Sequence, residues 1–131
     1  MLDVTAEVEK IVESAGIREG TAFVFSPHTT CSVVVAAAHE TLVDAIESML
    51  ASVAPPDGYY AHDDLSIRTE NLVVDEPANG PAHIAHILMG QSSETLPIVD
   101  GRVVLGTNQR ILFVELDSAR DRRYLIQVMG T

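Results

Sequence analysis

Three histidines in separate parts of the chain are the residues best suited to carry chemistry. His28 follows a strand-like run, His62 lies in the loop segment YYAHDD, and His83 lies in the helix-like segment PAHIAHILMG. Imidazoles that converge from separate segments can bind a metal ion or an anion, and each can transfer a proton near neutral pH. The chain has no HExxH or CxxC motif, and isolated histidines are usually structural or exposed. Metal binding, anion binding and a structural role are therefore all open readings of the spacing.

The stretch FSPHTTCS, residues 25–32, places polar side chains between two runs that read as buried strands. It is either a polar turn between the strands or one wall of a site containing His28, Thr29 and Thr30. We interpret Cys31 as a small packing residue, since a free cysteine is more often buried than nucleophilic. Asp63 and Asp64 could orient His62, but we interpret them as a solvated loop pair.

Arginines are concentrated near the C-terminus of an acidic chain. The formal net charge is −11, yet five arginines lie within residues 102–123. Arginine suits bidentate recognition of carboxylate or phosphate, so this stretch could form a small anion site or simply line a solvated strand pair. The acidic balance argues against binding to nucleic acid or to anionic lipid, which requires clustered cations.

The helices and strands that must position these residues can be predicted from hydrophobic periodicity and from the residues that end helices and form turns. Helical spacing covers residues 3–15, 40–53 and 81–90, and residues 21–25 and 31–36 read as buried strands. Asp100-Gly101 predicts a hairpin between ETLPIV and RVVLG, and residues 110–117 and 122–130 are predicted to form a second hairpin. The region 55–80 is a long irregular loop. The sum predicts an α+β fold with mainly antiparallel strands and helices packed on one side, in a single domain over residues 1–131.

Several classes of protein are disfavoured by what the chain lacks. It has no run of about 20 apolar residues, no visible secretory signal and a single cysteine, which together predict a cytoplasmic protein. No P-loop, Rossmann glycine pattern or GxSxG is present, so nucleotide-binding and acyl-transfer functions lack their usual motifs.

An ordered set of short motifs resembles the secondary thiamine-phosphate synthase (YjbQ-like) family. Individually the motifs are weak, but they occur in the family's order from about Gly20 to the C-terminus. In chain order they are PHTT (27–30), Tyr59 with His62, PAHI (81–84), Gly90 with Ser92 and Leu96-Pro97, GR (101–102), LGTNQ (105–109), and the acid-plus-arginine segment 117–122.

The resemblance implies an antiparallel α+β sandwich that forms a homotrimer with sites near subunit boundaries. It implies a weak thiamine-phosphate synthase activity, which joins a pyrimidine pyrophosphate to a thiazole phosphate. The catalytic residues it indicates are His28, His62 and His83, and the same three could hold a divalent metal, Zn or Mg. The residues it indicates for binding a phosphorylated substrate are Thr29, Thr30, Ser92, Gln109, Arg120 and Arg122.

The chain departs from the family pattern in three motifs, one of which is a DGPR-like segment that reads DSARDR at residues 117–122. Ala36 and Ala37 stand where the family has an Asn-Glu pair, and Asn108 replaces a tryptophan. The usual leading strand also looks shortened or absent. Two alternatives to the synthase reading therefore stay open. One is a non-catalytic trimer that binds a ligand or metal, and the other is a metal-assisted hydrolase with Glu115 or Asp63 as its carboxylate.

Overall fold

The structure is a computed structural model that describes residues 1–131. It contains three α-helices, namely α1 Thr5–Ala15, α2 Glu40–Val53 and α3 Gly80–Met89, and one short 3-10 helix at Ala61–Asp63. Its strands are β1 Leu2–Asp3, β2 Gly20–Phe25, β3 Cys31–Ala36, β4 Ser93–Val99, β5 Arg102–Val103, β6 Arg110–Glu115 and β7 Leu125–Gly130. None of the helices has the length and apolar composition that crossing a bilayer requires.

The strands form two antiparallel sheets that share one apolar core. The order is β1-β6-β3 in one sheet and β5-β4-β2-β7 in the other. The core draws on both sheets and on one face of α1, where Val8 and Val12 are fully buried as the helical spacing predicts. In β4, Leu96 and Ile98 alternate with exposed neighbours, which is the pattern of a strand with one buried face. This confirms the predicted α+β fold with antiparallel strands.

The predicted end of the first helix and the predicted hairpin turn are both confirmed. Gly16 ends α1 in the left-handed region at φ 67°, as expected for a glycine after the last helical residue. Asp100 and Gly101 both have positive φ and connect β4 to β5, as a tight hairpin turn requires. The leading strand is present but short, since β1 has two residues and pairs with β6.

The second predicted hairpin is wrong. β6 pairs with β3 and β1, whereas β7 pairs with β2 in the other sheet. Ile111–Val114 are four consecutive buried residues, which is the pattern of a strand covered on both faces, and this pattern does not determine which strands pair along its edges. The connecting residues 116–124 therefore cross from one sheet to the other.

The strand registers bring the ends of four strands, β2, β3, β6 and β7, to the same end of the molecule. Cys31 at the start of β3 is paired with Glu115 at the end of β6. Phe25 at the end of β2 is paired with Leu125 at the start of β7. The turn 26–30 and the crossover 116–124 therefore meet, and the N-terminus of α3 and the loop 55–79 complete this end of the fold.

Candidate functional site

A pocket of about 690 Å³ opens at this end of the two sheets. Its walls come from the turn after β2, the loop before α3, the first turns of α3 and the crossover after β6. It brings together seven of the side chains predicted for the site, which are His28, Thr29, Thr30, His62, His83, Arg120 and Arg122.

Two predicted residues lie outside this pocket. Ser92 is at the same end of the fold, where its carbonyl accepts a hydrogen bond from the Ser26 amide at 2.7 Å, but its side chain does not line the pocket. Gln109 lies at the opposite end of β6, where its Oε1 accepts the Gly106 amide at 2.7 Å. Ala36 pairs with Arg110 at that same far end. Within one chain, the family's motif positions therefore lie in two places: most are at the pocket, and Gln109 and Ala36 are at the opposite end of the sheet.

His28 is held by the crossover segment. Its Nε2 accepts a hydrogen bond from the backbone N–H of Arg123 at 3.0 Å. A backbone amide can only donate, so this nitrogen carries its lone pair and the imidazole hydrogen of neutral His28 is on Nδ1. The Ser26 hydroxyl oxygen accepts the His28 amide at 3.3 Å and helps to fix the turn.

His62 is held by its neighbour in the chain and, through it, by α3. Its Nδ1 lies 2.9 Å from Asp63 Oδ1, and the same oxygen accepts the Gly80 amide at 2.9 Å. The Asp63 side chain is 20% exposed. Burial raises the pKa of this carboxyl, but hydrogen bonds from His62 and from the backbone outweigh burial and the pKa lies below its ordinary value. The interpretation of Asp63 as a solvated loop residue is therefore wrong. Asp64 is solvent-facing and bonds to Tyr59 and Ser66.

His83 lies beside His62, and their ring centroids are 4.5 Å apart. Burial lowers the pKa of His83, and the neighbouring His62 lowers it further. Asp117 and a hydrogen bond to the Thr29 backbone act in the opposite direction but do not restore the ordinary pKa. His86, which shares the helix, does not line the pocket, and its buried Nε2 has no hydrogen-bond partner.

The three predicted imidazoles do not form a metal-ligand set as they stand. No group of three or more His, Cys, Asp or Glu side chains is arranged to hold a metal ion. His28 Nε2 is occupied by the Arg123 amide, and His62 Nδ1 is occupied by Asp63. Only His62 and His83 are in ring contact. A metal shared by all three would require His28 to give up its bond to the backbone.

Arg122 forms the centre of a mostly buried polar cluster. Its Nε donates to Glu115 Oε2, and its Nη2 donates to the Thr30 hydroxyl at 3.2 Å. Burial raises the pKa of Glu115, but hydrogen bonds from Arg122 and from the Asp117 amide outweigh burial and lower it overall. Glu115 also raises the pKa of Arg122, so the ion pair stays charged across the ordinary pH range.

A second arginine is held in a similar way. Arg120 donates to Asp117 Oδ2, and the same carboxylate oxygen accepts the side-chain amide of Asn79 at 3.0 Å. Asn79 is the residue before α3, so Asp117 connects the crossover to the start of that helix. Asn79 occupies the N-cap position of α3, but its side chain bonds to Asp117 and makes no cap hydrogen bond.

Sequence reasoning missed a third arginine. Arg68 lines the pocket, pairs with Glu76, and donates to the backbone carbonyls of His62 and Asn71 at 3.0 and 2.8 Å. The available signal was weak, because a single arginine in an acidic irregular loop has no period or spacing to mark it. Each guanidinium of the pocket is thus matched by a carboxylate. An anion would be held by directed N–H groups rather than by a large net positive charge.

Cys31 is a packing residue, as the sequence indicates. It is fully buried, with its Sγ 3.4 Å from Glu115 Oε2. Burial, followed by the nearby Glu115 charge, raises the thiol pKa to about 11. A thiol in this state is a poor nucleophile.

Comparison with known proteins places this arrangement in context. A sequence model for the family described as UPF0047 protein YjbQ-like matches residues 1–131. A UPF0047 protein of Methanothermobacter thermautotrophicus is 36% identical, over 99% of this chain and 82% of its own length. The UPF0047 protein YugU of Bacillus subtilis is 31% identical, over 99% of this chain and 89% of its own.

Solved structures show the same architecture. A crystal structure of a YjbQ/UPF0047 family protein from Clostridium acetobutylicum has a TM-score of 0.81 and 34% identity, and the match covers 98% of this chain and 89% of that one. A YbjQ-like protein of unknown function from Sulfolobus solfataricus has a TM-score of 0.83 and 27% identity, with 99% and 86% of the two chains covered. The fold around the pocket is therefore shared with these proteins.

Proposed function

The chain belongs to the YjbQ-like UPF0047 family, and we propose that its pocket binds a phosphorylated small molecule and carries a weak thiamine-phosphate synthase activity. The main support is the convergence of three imidazoles, two threonines and two arginines, which come from separate segments, on one opening. Imidazoles transfer protons, and hydroxyl and guanidinium groups hold phosphate oxygens, so this set suits a substrate with a phosphoanion.

In the proposed reaction a thiazole nitrogen bonds to the methylene carbon of the pyrimidine, and the carbon–oxygen bond to pyrophosphate breaks. The departing pyrophosphate needs hydrogen-bond donors at fixed positions. Arg122 is pre-oriented by Glu115 and Thr30, and Arg120 is pre-oriented by Asp117. Their remaining N–H groups, together with the exposed Thr29, are the donors that we assign to the phosphates.

The test of this proposal is pyrophosphate binding, measured by calorimetry, together with an assay for thiamine phosphate formation. We expect His83→Ala and Arg122→Ala each to lower activity by at least tenfold. His39→Ala is the matched control, because His39 is exposed at the start of α2 and does not line the pocket. Wild-type activity in His83→Ala, or no pyrophosphate binding by the native protein, would contradict the proposal.

We also propose that the protein is a homotrimer in which a neighbouring chain completes the site. None of the residues of α2 is buried, and its apolar side chains Leu42, Met49 and Val53 are exposed. We therefore expect another protein surface to cover this helix. Cys31 and Ala36 are the two ends of β3, about 16 Å apart for an extended strand, and Gln109 lies at the Ala36 end. A single chain therefore cannot bring Gln109 to its own pocket.

Light scattering and subunit mixing test the trimer. We expect a mass of three chains, reduced by Met49→Asp but not by Glu47→Asp, which preserves the charge of an exposed position on the same helix. If the site is shared, co-refolding Arg122→Ala with Gln109→Ala subunits should recover part of the pyrophosphate binding that each variant loses alone. A monomeric native protein, or no recovery in mixed trimers, would count against the shared site.

A non-catalytic binding protein is the second candidate, and the observation that favours it is the pair Ala36-Ala37. An alanine side chain can neither accept a proton nor bind a metal, so the chemistry of the family's Asn-Glu pair is missing. Pyrophosphate binding without turnover would support this candidate. The hydrolase alternative is less favoured, because Glu115 is paired with Arg122 and Asp63 is bonded to His62 and Gly80.

Divalent metal binding by His28, His62 and His83 is a separate proposal, and no step of the reaction is assigned to a metal. Its support is the ring contact between His62 and His83. Elemental analysis of the purified native protein and of His83→Ala measures it directly. Stoichiometric Zn that disappears in the variant would support it, and metal retained unchanged by the variant would refute it.

A further inference from the structure

We infer that Glu76 is a specificity-determining residue of the pocket, and that it selects phosphorylated molecules whose organic part carries an amino group or another N–H donor. This inference deepens the proposed function and rests on it, because it names the class of substrate that suits the same site. It follows from where the carboxylate partners of the pocket arginines lie relative to the opening.

Two of the three pocket arginines have their carboxylate partners behind them. Arg120 is paired with Asp117 and Arg122 is paired with Glu115, and neither carboxylate lines the pocket. Both carboxylates instead line a separate cavity whose other walls come largely from α2 and α3. On this side of the pocket a ligand therefore contacts guanidinium and hydroxyl donors with no carboxylate facing it, which suits a phosphate group.

The third arginine has its carboxylate partner on the pocket side. Glu76 is paired with Arg68, and both side chains are mostly buried. Glu76 is also the only carboxylate among the residues that line the pocket. The loop side of the pocket therefore presents acceptor oxygens to a ligand, whereas the crossover side presents donors.

Arg68 is largely occupied by the loop itself. Its Nη1 donates to the His62 carbonyl at 3.0 Å and to Glu76 Oε1, and its Nη2 donates to the Asn71 carbonyl at 2.8 Å. Three of its N–H groups are thus directed at acceptors of the loop. Arg68 therefore fixes the loop and orients Glu76, whereas Arg120 and Arg122 supply the donors for phosphate.

Glu76 can accept further hydrogen bonds after these contacts are made. Its Oε1 accepts from Arg68, and its Oε2 accepts the Val73 amide at 2.9 Å. A carboxylate has about four lone-pair sites, so about two remain for a ligand. The Val73 amide, followed by Arg68, lowers the pKa of Glu76, so at neutral pH the group accepts hydrogen bonds and donates none.

A second acceptor in the lining has no partner within the chain. The Asn79 side chain donates from Nδ2 to Asp117 at 3.0 Å, which orients the amide, and its buried Oδ1 has no hydrogen-bond partner. Asn79 is only 8% exposed and lines the pocket. Because an unpaired buried acceptor is costly, a ligand N–H that bonds to it stabilises the complex. Glu76 and Asn79 therefore both favour a ligand with hydrogen-bond donors.

These features together describe a phosphate ester with a donor-bearing ring. Val73 and Pro77 line the pocket close to Glu76 and supply apolar surface for the ring. An aminopyrimidine phosphate has this chemistry, and the pyrimidine of thiamine carries such an amino group. We assign its phosphate to the crossover side of the pocket and its amino group to Glu76.

The test compares two ligands that differ only in the amino group. One is the aminopyrimidine monophosphate that contains the pyrimidine of thiamine, and the other is its analogue with hydrogen in place of the amino group. Calorimetry measures the affinity of the full native chain for each. We expect the amino compound to bind about tenfold more tightly, because it gains a hydrogen bond to a charged acceptor.

Glu76→Gln should change the affinities for two kinds of ligand in opposite directions. The neutral side chain lacks the charged acceptor, so we expect the preference for the amino compound to fall below about threefold. Removal of the carboxylate also leaves Arg68 without its counter-charge, so pyrophosphate should bind as tightly as to the native protein or more tightly. Glu70→Gln is the matched control, since Glu70 is an exposed carboxylate of the same loop that does not line the pocket.

The outcomes distinguish this inference from the function on which it rests. Equal affinity of the native protein for the two pyrimidine phosphates, an unchanged preference in Glu76→Gln, or weaker pyrophosphate binding in that variant would each overturn the inference. The expected preference without any formation of thiamine phosphate would overturn the synthase activity and leave the role of Glu76 standing. A native protein that binds neither the pyrimidine phosphates nor pyrophosphate would overturn both.

Discussion

The two walls of the pocket are held in place by different kinds of interaction. The strand wall consists of Thr30, which directly precedes β3, and Arg122 of the crossover, and it is supported by Glu115 at the end of β6. The loop wall consists of residues 55–79, which contain one short 3-10 helix and no strand. Its form depends on side chains that bond to nearby backbone, above all those of Asp63, Arg68 and Glu76.

This difference has consequences for stability and for function. The strand wall is joined to a ladder of backbone hydrogen bonds and to a core that includes Cys31 and Val33, so it should open only when the fold opens. The loop wall has few buried apolar groups, and Leu65, Ile67 and Val74 are exposed. It should therefore open locally, and it carries His62.

The largest effect is expected from breaking the strand wall with Glu115→Gln. The neutral amide leaves the Arg122 charge without its partner in a mostly buried position, where such a loss costs about 3 kcal/mol. Urea unfolding should show this decrease in the free energy of unfolding, and pyrophosphate binding should weaken as Arg122 loses its orientation. Asp121→Asn is the control, since Asp121 is exposed and lies in the same segment. Equal stability of the two variants would contradict the assignment of Glu115 as a support of this wall.

A smaller and local effect is expected from breaking the loop wall with Arg68→Ala. The variant loses contacts to two backbone carbonyls and to Glu76, all within the loop. Hydrogen exchange of residues 60–79 should accelerate at least tenfold, a loss of about 1.4 kcal/mol of local opening free energy, while β2 and β3 keep their protection. Arg102→Ala, at an exposed position in β5, should change neither region. Equal acceleration in the core strands would show that the two walls open together.

The same contrast explains which features the sequence predicts. The ends of α1, the buried strands and the Asp100-Gly101 turn follow from periodicity and from residues that tolerate positive φ. The pairing of β6 was mispredicted because sequence proximity to β7 favoured a hairpin, and its four buried residues indicate only that both of its faces are covered. Sheet choice depends on long-range packing, which local patterns do not contain.

The site was predictable in part for the same reason. The ordered motifs of the family resemblance identified seven pocket side chains, including His62 in the irregular loop, without predicting how the segments that carry them pack. Arg68, Glu76 and Asn79 were missed, since their positions depend on side-chain contacts inside an irregular loop. Asp63 was interpreted as solvated because no sequence pattern indicates that the Gly80 amide lies beside it.

The loop wall and the strand wall should lose stability at different points as the pH is lowered. The pKa values of Asp63, Asp64 and Glu76 in the loop wall, and of Glu115 in the strand wall, are all lowered in the folded state. Each lowered pKa contributes stability that is full above the unfolded value, 3.8 for Asp and 4.5 for Glu, and is lost as the pH falls further toward the folded value. Stability should therefore decrease modestly below about pH 6.5, because the lowered pKa of His83 leaves the folded state less protonated than the unfolded chain, and decrease further below about pH 4.5 as the carboxylates are protonated.

Three of these four carboxylates lie in the loop wall, which opens locally at a smaller free energy than the strands, so exchange protection there should be lost before protection in β3 and β6 as the pH falls. Pulsed hydrogen exchange at a series of pH values between about 5 and 3, with correction for the intrinsic exchange rate, measures this order. Simultaneous loss of protection in the loop and in the strands would mean that the acidic groups act on the fold as a whole.

The smallest effect on the pocket is expected from Cys31→Ala, although this residue touches Glu115 in the strand wall. Cys31 is fully buried and its thiol pKa of about 11 keeps it protonated at neutral pH, so it contributes packing rather than charge. Loss of the sulfur should cost about 1 kcal/mol of stability and change pyrophosphate affinity less than twofold. Thr30→Val is the contrasting variant, because it conserves volume but removes the hydroxyl that accepts from Arg122, and it should weaken affinity severalfold. Cys31→Ala could instead weaken pyrophosphate binding as much as Thr30→Val does. In that case, the orientation of Arg122 would depend on the packing of Cys31 as much as on the hydrogen bond to Thr30.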